Sequence, residues 1–321
     1  MPTLSVPAAV PSASEDAEQL YQAISGRGTK DGQIISILAH RNQNQRKLIR
    51  QVHAETYGED LLKSLDKELS PEFEKLVLLW TLDPAERDAA LAYEALRKWN
   101  PSDRVLIEIA CTRTPYDLLD LRQEYREGYD ISFEEDVERH ITGDLRTLLP
   151  PLLTPQLVAY RYEGEAVYTD LAEIDAKTLH EHISNRAYTH EDLISVICTR
   201  SRAQLAPTFD LYLQLSGNPI LKDLEADAED EYVAALAAAV ECLIWPEEYF
   251  EKVLRPAVNK LGTDEEALTR VVATRAEVDL GKVSEAYDRR NSVSLAHAVA
   301  DDTSGDYQAM LLALIGHDPS F

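Results

Sequence analysis

Cysteine is scarce in this chain: three among 321 residues, Cys111, Cys198 and Cys242, with no C-x-x-C pair. An odd count without paired spacing excludes a disulfide framework and a cysteine-built zinc site, and reads as reduced thiols in a cytosolic protein. Glycine is scarce too, at 12, and turn-separated period-two runs are hard to find. Leu, Ile, Val and Ala recur instead at helical spacing, so the chain reads as all-α. No run approaches the ~20 apolar residues of a membrane span. The opening MPTLSVPAAVPSASEDAEQL has neither the basic start nor the apolar length of a signal peptide. Positive charge is also short: 32 Lys and Arg stand against 57 Asp and Glu, a net charge of −25. Such a chain is repelled by nucleic acid and by an anionic membrane unless a cation intervenes. Any membrane role must be peripheral.

What the chain does have is repetition. GQIISILAHR, DRVLIEIACTR, EDLISVICTR and EALTRVVATR align on Arg41, Arg113, Arg200 and Arg275, spaced 72, 87 and 75 residues apart. Seven, four and three residues before each arginine stands an apolar side chain: Ile34, Ile37 and Leu38; Leu106, Ile109 and Ala110; Leu193, Val196 and Ile197; Leu268, Val271 and Val272. These offsets put each trio on one face of a helix. Twelve residues after the arginine come His53, Tyr125, Tyr212 and Tyr287. A fourfold period of this length marks helical units that stack to share a core. The longest interval holds LLPPLLTPQLVAYRYEGE, where Pro150, Pro151 and Pro155 are expected to end helices and mark a linker. The segmentation is a tail at 1–14, repeats at 15–80, 87–150, 170–243 and 247–316, and an inter-half linker at 151–169.

Thirteen residues before the four arginines stand Gly28, Asn100, Ala187 and Gly262, and twenty-seven after them stand Glu68, His140, Asp227 and Asp302. The two copies with Gly-Thr, at Gly28-Thr29 and Gly262-Thr263, both have an acid at the later position. The second copy has Asn100-Pro101 and His140, and the third has Ala187-Tyr188 with Asp227. Glycine lets a tight loop turn its carbonyls outward. Three carbonyls and one bidentate carboxylate give five oxygens, short of the six to eight that Ca²⁺ takes. The open positions suit water or a phosphate oxygen. So few anionic ligands make an isolated site weak, with Kd on the order of 10⁻⁴–10⁻³ M. The competing reading is a helix cap, since Thr263 with Glu266 fits a capping box. A cap needs no distant acid in the same two copies.

At this point the chain resembles the annexins. The resemblance covers residues 15–316 and rests on GRGT with Glu68, on LGTDEEALTRVVATRAEVDL and on DDTSGDYQAMLLALIG. AHR in repeat I and RKW in repeat II are most similar to the plant members. The resemblance implies four repeats of five helices each, arranged as a curved disc, with Ca²⁺ loops that bridge to acidic phospholipid headgroups. Carried over residue by residue, the first site would use the carbonyls of Ile24, Gly26 and Gly28 with Glu68. The fourth would use the carbonyls of Val258, Lys260 and Gly262 with Asp302. Lys260 replaces a glycine of the family's K-G-x-G-T loop, but its backbone carbonyl can still serve. Arg27 stands at the first loop's tip, where plant members often carry tryptophan, and is expected to contact phosphate. Leu261 is the matching membrane contact in the fourth loop. The second site is expected to be dead, and in the third Asp227 has no glycine loop opposite it. Asp88, Glu108, Arg113 and Arg270 match positions that line the family's central polar channel. The preferred reading is a buried ion-pair network, two acids with two bases.

The expectation is therefore a non-enzymatic, Ca²⁺-dependent peripheral binder of anionic phospholipid membranes. It would be cytoplasmic until calcium rises and able to oligomerise on the membrane. One rival is an enzyme, a peroxidase or nucleotide phosphatase; the other is a scaffold for F-actin. His40 replaces the threonine found before the arginine in the other copies, where a histidine has suggested peroxidase activity in plant annexins. No C-x-x-C-H haem motif accompanies it, and a packed histidine is the plainer reading. Cys111 and Cys198 fill a slot held elsewhere by Ala39 and Ala273, so they read as buried and inert. A redox role for Cys111 with Cys242 follows only from the plant resemblance. DTSG, from Asp302 to Gly305, matches a loose D-x-x-G nucleotide pattern without a P-loop. Trp99 falls in the second repeat's loop and either touches membrane or packs under it. Trp80 and Trp245 close apolar helices and read as core.

Overall fold

The computed structural model describes residues 1–25, 30–65, 69–98, 103–153, 161, 163–259 and 262–317, with the side chain of Asn259 left aside. Among them lie twenty helices, five per repeat. Repeat I holds α1 (Ala13–Ser25), α2 (Asp31–Leu38), α3 (Gln43–Tyr57), α4 (Leu61–Leu65) and α5 (Pro71–Thr81). Repeat II holds α6 (Pro84–Arg97), α7 (Asp103–Thr112), α8 (Pro115–Tyr129), α9 (Phe133–His140) and α10 (Leu145–Leu153). Repeat III holds α11 (Thr169–Ser184), α12 (Glu191–Thr199), α13 (Arg202–Ser216), α14 (Ile220–Glu225) and α15 (Glu231–Ile244). Repeat IV holds α16 (Pro246–Ala257), α17 (Glu265–Arg275), α18 (Leu280–Asn291), α19 (Leu295–Asp302) and α20 (Gly305–Ile315). The described strands are β1 (Val258–Asn259) and β2 (Gly262–Thr263), a two-residue antiparallel hairpin between α16 and α17.

The helices gather into two compact units: Met1–Arg87 with Phe250–Phe321, and Asp88–Tyr249. In the first, α2 and α5 of repeat I pack on α17 and α20 of repeat IV. In the second, α7 and α10 pack on α12 and α15. The second and fifth helices of each repeat are thus the ones that join neighbours. The apolar trios before the repeat arginines supply these joints, and none of the twelve side chains is more than 4% exposed. Burying one such side chain contributes about 1.5–3 kcal/mol. Cys111 and Cys198 lie in the same interiors, as do their counterparts Ala39 and Ala273.

Each repeat arginine ends the run of its second helix and starts the next turn. Asn42 and Thr114 cap α3 and α8 with full capping boxes, and Ser201 caps α13. The arginine itself reaches back to an aspartate on the first helix. Arg41 binds Asp16 through Nε at 2.6 Å and Nη2 at 2.8 Å. Arg200 binds Asp175 at 2.6 and 3.0 Å, and Arg113 holds Asp88 in the same two-pronged way. Each aspartate lies 25 residues before its arginine. In repeat IV that position is Phe250. Arg275 lies over its ring, 4.7 Å from the centroid, and turns its fork to Asp279, four residues on. Asp279 sits at the N-cap of α18 yet makes no capping bond, its carboxylate being taken by Arg275.

Two sequence expectations change here. Pro150 and Pro151 do not end a helix: both lie inside α10, which runs on to Leu153. Leu148, Leu149, Leu152 and Leu153 are all buried, and this burial offsets the backbone bonds the prolines cannot make. Trp80 is core, its indole donating to the carbonyl of Leu38 at 2.7 Å under the guanidinium of Arg46. Trp245 is not core; it is 37% exposed at the end of α15, tilted against Phe209. The apolar run it closes ends at a helix terminus rather than in an interior.

Asp16→Ala should lower unfolding free energy by about 3–5 kcal/mol, because it strands a buried guanidinium. Arg200 is 27% exposed against 5% for Arg41, so Asp175→Ala should cost less. Chemical denaturation midpoints of the two variants check the order.

Candidate functional site

The fourth loop is the clearest. β1 and β2 pair with Val258 opposite Thr263 and Asn259 opposite Gly262, and the amide of Asp264 closes the loop on the carbonyl of Ala257 at 3.0 Å. Gly262 is exposed and has φ +137°, a backbone state for which a side chain is a penalty. The hydroxyl of Thr263 is shared between the backbone carbonyl and Oδ2 of Asp302, each 2.9 Å away. This tether brings the end of α19 to the loop. Thr263 is therefore not the helix cap. Asp264 is, accepting from the amide of Ala267 at 3.0 Å. Among the described residues no basic side chain pairs with Asp302. The result is a carboxylate beside an exposed glycine turn, an all-oxygen set that suits a hard cation.

The first loop closes in the same register. The amide of Lys30 donates to the carbonyl of Ala23 at 3.1 Å, the counterpart of the Asp264–Ala257 bond. Ile24 lies half-buried in the last turn of α1, where backbone carbonyls have no partner within the helix. Gly26, Arg27, Gly28 and Glu68 lie outside the described residues, as do Lys260, Leu261 and Trp99.

Repeat III keeps the tether and loses the charge. Tyr188 stands where Thr263 stands in repeat IV, and its hydroxyl donates to Oδ2 of Asp227 at 2.5 Å across the same 39-residue separation. Burial first, and this bond second, push the phenol up to about 12, so it remains a donor. Arg186 reaches the other oxygen, Oδ1, at 3.2 Å. The loop also closes differently, with the amide of Ala187 on the carbonyl of His182 at 2.8 Å, a span two residues shorter. A guanidinium thus pairs with the carboxylate that in repeat IV has no basic partner among the described residues.

In repeat II, His140 turns onto its own helix, with Nδ1 donating to the carbonyl of Asp136 at 3.0 Å. It lines a cavity of 390 Å³ with Asp103, Asp144, Asp230 and Glu231. Burial, reinforced by Glu231, raises the pKa of Asp103 to about 6.

The residues matched to the polar channel divide between the units: Asp88, Glu108 and Arg113 in one, Arg270 in the other. Burial disfavours the charge of Arg113, but the Asp88 carboxylate outweighs it and raises the guanidinium's pKa. Glu108 accepts from the hydroxyl of Tyr249 at 3.2 Å. Asp88–Arg113 is the second-repeat copy of the pair seen in repeats I and III. The fixed 25-residue spacing was the available signal for it.

A sequence model of the annexin family matches residues 15–80, 87–152, 174–239 and 249–314. The chain belongs to the annexin family. It is 59% identical to annexin Gh1 of Gossypium hirsutum over 315 residues, covering 98% of this chain and 99% of the relative. It is 52% identical to annexin D7 of Arabidopsis thaliana, covering 99% of each. Among solved structures it resembles annexin III, with TM-score 0.91, 32% identity, and 99% and 97% of the two chains covered. It also resembles calcium-bound annexin (Sm)1, with TM-score 0.85, 29% identity, and coverage of 99% and 93%. Annexins bind Ca²⁺ and, through it, phospholipid membranes, and in general are not enzymes. No described helix is long and apolar enough to cross a membrane.

The residues of the rival readings have other occupations. His40 is buried, with Nδ1 donating to the carbonyl of Ser36 at 3.2 Å. All three cysteines are free and buried. Burial pushes the Cys111 thiol up to about 12, against the pull of Arg161 and Arg202, which disfavours a reactive thiolate. The DTSG segment is the turn from α19 into α20, with Gly305 at φ +66°.

Two expected outcomes follow from these geometries. Gly262→Ala forces a side chain into a glycine-only backbone state, a local cost of roughly 1–3 kcal/mol. It should weaken Ca²⁺ binding in a calorimetric titration more than it lowers the melting temperature. Asp103 has a raised folded pKa, so its charged form opposes folding; stability is lost as pH rises from about 4 through about 6. Asp103→Asn should therefore melt higher than the parent at pH 7, with the gap closing below pH ~4.

Proposed function

We propose that this chain binds anionic phospholipid membranes through Ca²⁺ held at two loops, both in the first unit. Repeat IV would supply the carbonyls of Val258, Lys260 and Gly262 with the carboxylate of Asp302. Repeat I would supply those of Ile24, Gly26 and Gly28 with Glu68. The observation that carries the reading is the contrast between two tethered carboxylates. Asp302 faces its loop without a basic partner among the described residues, whereas Asp227 is met by Tyr188 and Arg186.

Each residue has a separable task. Gly262 supplies the backbone state that opens the turn. Thr263 holds Asp302 against it through the shared hydroxyl. Asp302 supplies negative charge, and Arg27 and Leu261 meet the lipid surface. When bound, Ca²⁺ supplies open coordination positions for lipid phosphate oxygens and offsets the repulsion between an acidic chain and an acidic bilayer. Two weak sites in one unit reinforce each other through effective concentration. Asp88, Glu108 and Arg113 take a structural part in this reading.

The test is vesicle co-sedimentation with phosphatidylserine-containing and pure phosphatidylcholine vesicles across a Ca²⁺ titration, with a chelator control. The parent should sediment only with the anionic vesicles and be released by chelator. Glu68→Gln combined with Asp302→Asn should abolish this, while Asp227→Asn leaves it unchanged. Retained binding in the double variant would overturn the ligand assignment.

A further inference from the structure

The third-repeat loop, which has Ala187-Tyr188 in place of Gly-Thr, gathers a different set of donors. His182 lies in the last turn of α11, His190 caps α12, and Asp192 follows in its first turn. The short reversal between the helices brings them together: Arg186 takes φ +56°, the amide of Ala187 bonds back to the carbonyl of His182, and that of His190 to Ala187. The two imidazoles stack with centroids 3.9 Å apart and planes 17° from parallel. Oδ2 of Asp192 lies 3.6 Å from Nδ1 of His190 and 3.9 Å from Nε2 of His182. One donor atom from each residue lies within 4.8 Å of the other two. His182 is partly buried, and the other two open to solvent.

We propose that His182, His190 and Asp192 bind a divalent transition-metal ion of the Zn²⁺ class. The donor chemistry selects the metal. Two imidazole nitrogens and one carboxylate oxygen suit Zn²⁺ and its neighbours, whereas Ca²⁺ asks for six or more oxygens. The spacing also fits. Donors around a tetrahedral Zn²⁺ with bonds of ~2.0–2.1 Å stand about 3.4 Å apart; the two carboxylate–imidazole separations are 3.6 and 3.9 Å, all three donors lie within 4.8 Å, and binding requires the stacked rings to turn about their side-chain bonds so that both nitrogens face the ion. Three protein ligands leave a fourth position to water. Nδ1 of His190 now accepts a long capping bond of 3.3 Å from the amide of Asp192. Metal binding exchanges this weak bond for a stronger one, so the ion clamps the end of α11 to the start of α12. Repeat III then retains a cation-binding loop, at the position where repeats I and IV carry Gly-Thr, but with the cation preference changed.

The test is calorimetric titration of the chelator-stripped full chain with Zn²⁺ in millimolar Ca²⁺. The parent should show a site that Ca²⁺ does not compete for, and Zn²⁺ should raise its melting temperature. His182→Gln and Asp192→Asn should each weaken that site about tenfold or more. His297→Gln should not, because the exposed His297–Asp301 pair offers two ligands rather than three. Circular dichroism checks that the variants fold. On the unmodified protein, substoichiometric Cu²⁺ should broaden the imidazole NMR signals of His182 and His190 before those of the other histidines. No Zn²⁺ uptake by the parent, unchanged affinity in both ligand variants, or broadening that spares these two rings would overturn the proposal.

Discussion

A guanidinium withdrawn wholly or partly from water must keep its carboxylate, and three of the four repeats are organised around that requirement. Arg41, Arg113 and Arg200 each close the second helix of a repeat and reach back 25 residues to an aspartate on the first. The pair fixes the angle at which the third helix departs, because the next residue is that helix's cap. A lysine could not substitute: the two parallel N–H···O bonds need a planar fork. Such pairs are weak evidence for net stability, since desolvation opposes the attraction. What they supply is a geometry that fails if either partner is lost. Repeat IV reaches the same end by another route, with an aromatic face at Phe250 and a local acid at Asp279. The chemistry is exchanged, and a guanidinium still joins the second helix to the first.

That fixed frame lets the loops vary. The bond between a loop side chain and a carboxylate 39 residues later is present in repeats III and IV with different residues, Tyr188 and Thr263. What separates them is charge. Arg186 is 75% exposed, so its bridge to Asp227 contributes little to stability. It nevertheless places a positive group against the carboxylate. The surroundings of the tethered carboxylate can thus change while the helices that carry it do not.

Much of the fold was legible because it obeys helical periodicity. The trios ending in Leu38, Ala110, Ile197 and Val272 were identified by spacing alone and are all core. Asp227 and Asp302 were legible as a fixed offset from a repeated arginine, and both bond to a loop side chain. The misreadings arose where local rules met tertiary packing. Pro150 and Pro151 forbid two backbone bonds, but four buried leucines hold α10 through them. The capping box that Thr263 fits by sequence, set aside there for want of a reason for the distant acid, is not formed: its hydroxyl goes to Asp302 while its neighbour Asp264 caps the helix. Asp88 was placed with Arg113 in an ion-pair network through the family match, but the Asp16 and Asp175 partners were missed because an ion pair has no periodicity of its own. Only the recurrence of one spacing across repeats could have revealed them.

The division of the chain gives these differences a consequence. The two loop sequences with Gly-Thr and a later acid belong to the first unit, and the two without Gly-Thr to the second. If all four loops were equivalent, losing one would cost a fraction of the avidity. On the proposed two-site reading, losing either leaves a single weak site, and effective concentration no longer helps. The net charge of −25 opposes approach to an anionic surface, so local contacts act against an overall repulsion. Membrane binding on this arrangement should be steep in calcium, because the first ion must be joined by the second before repulsion is overcome.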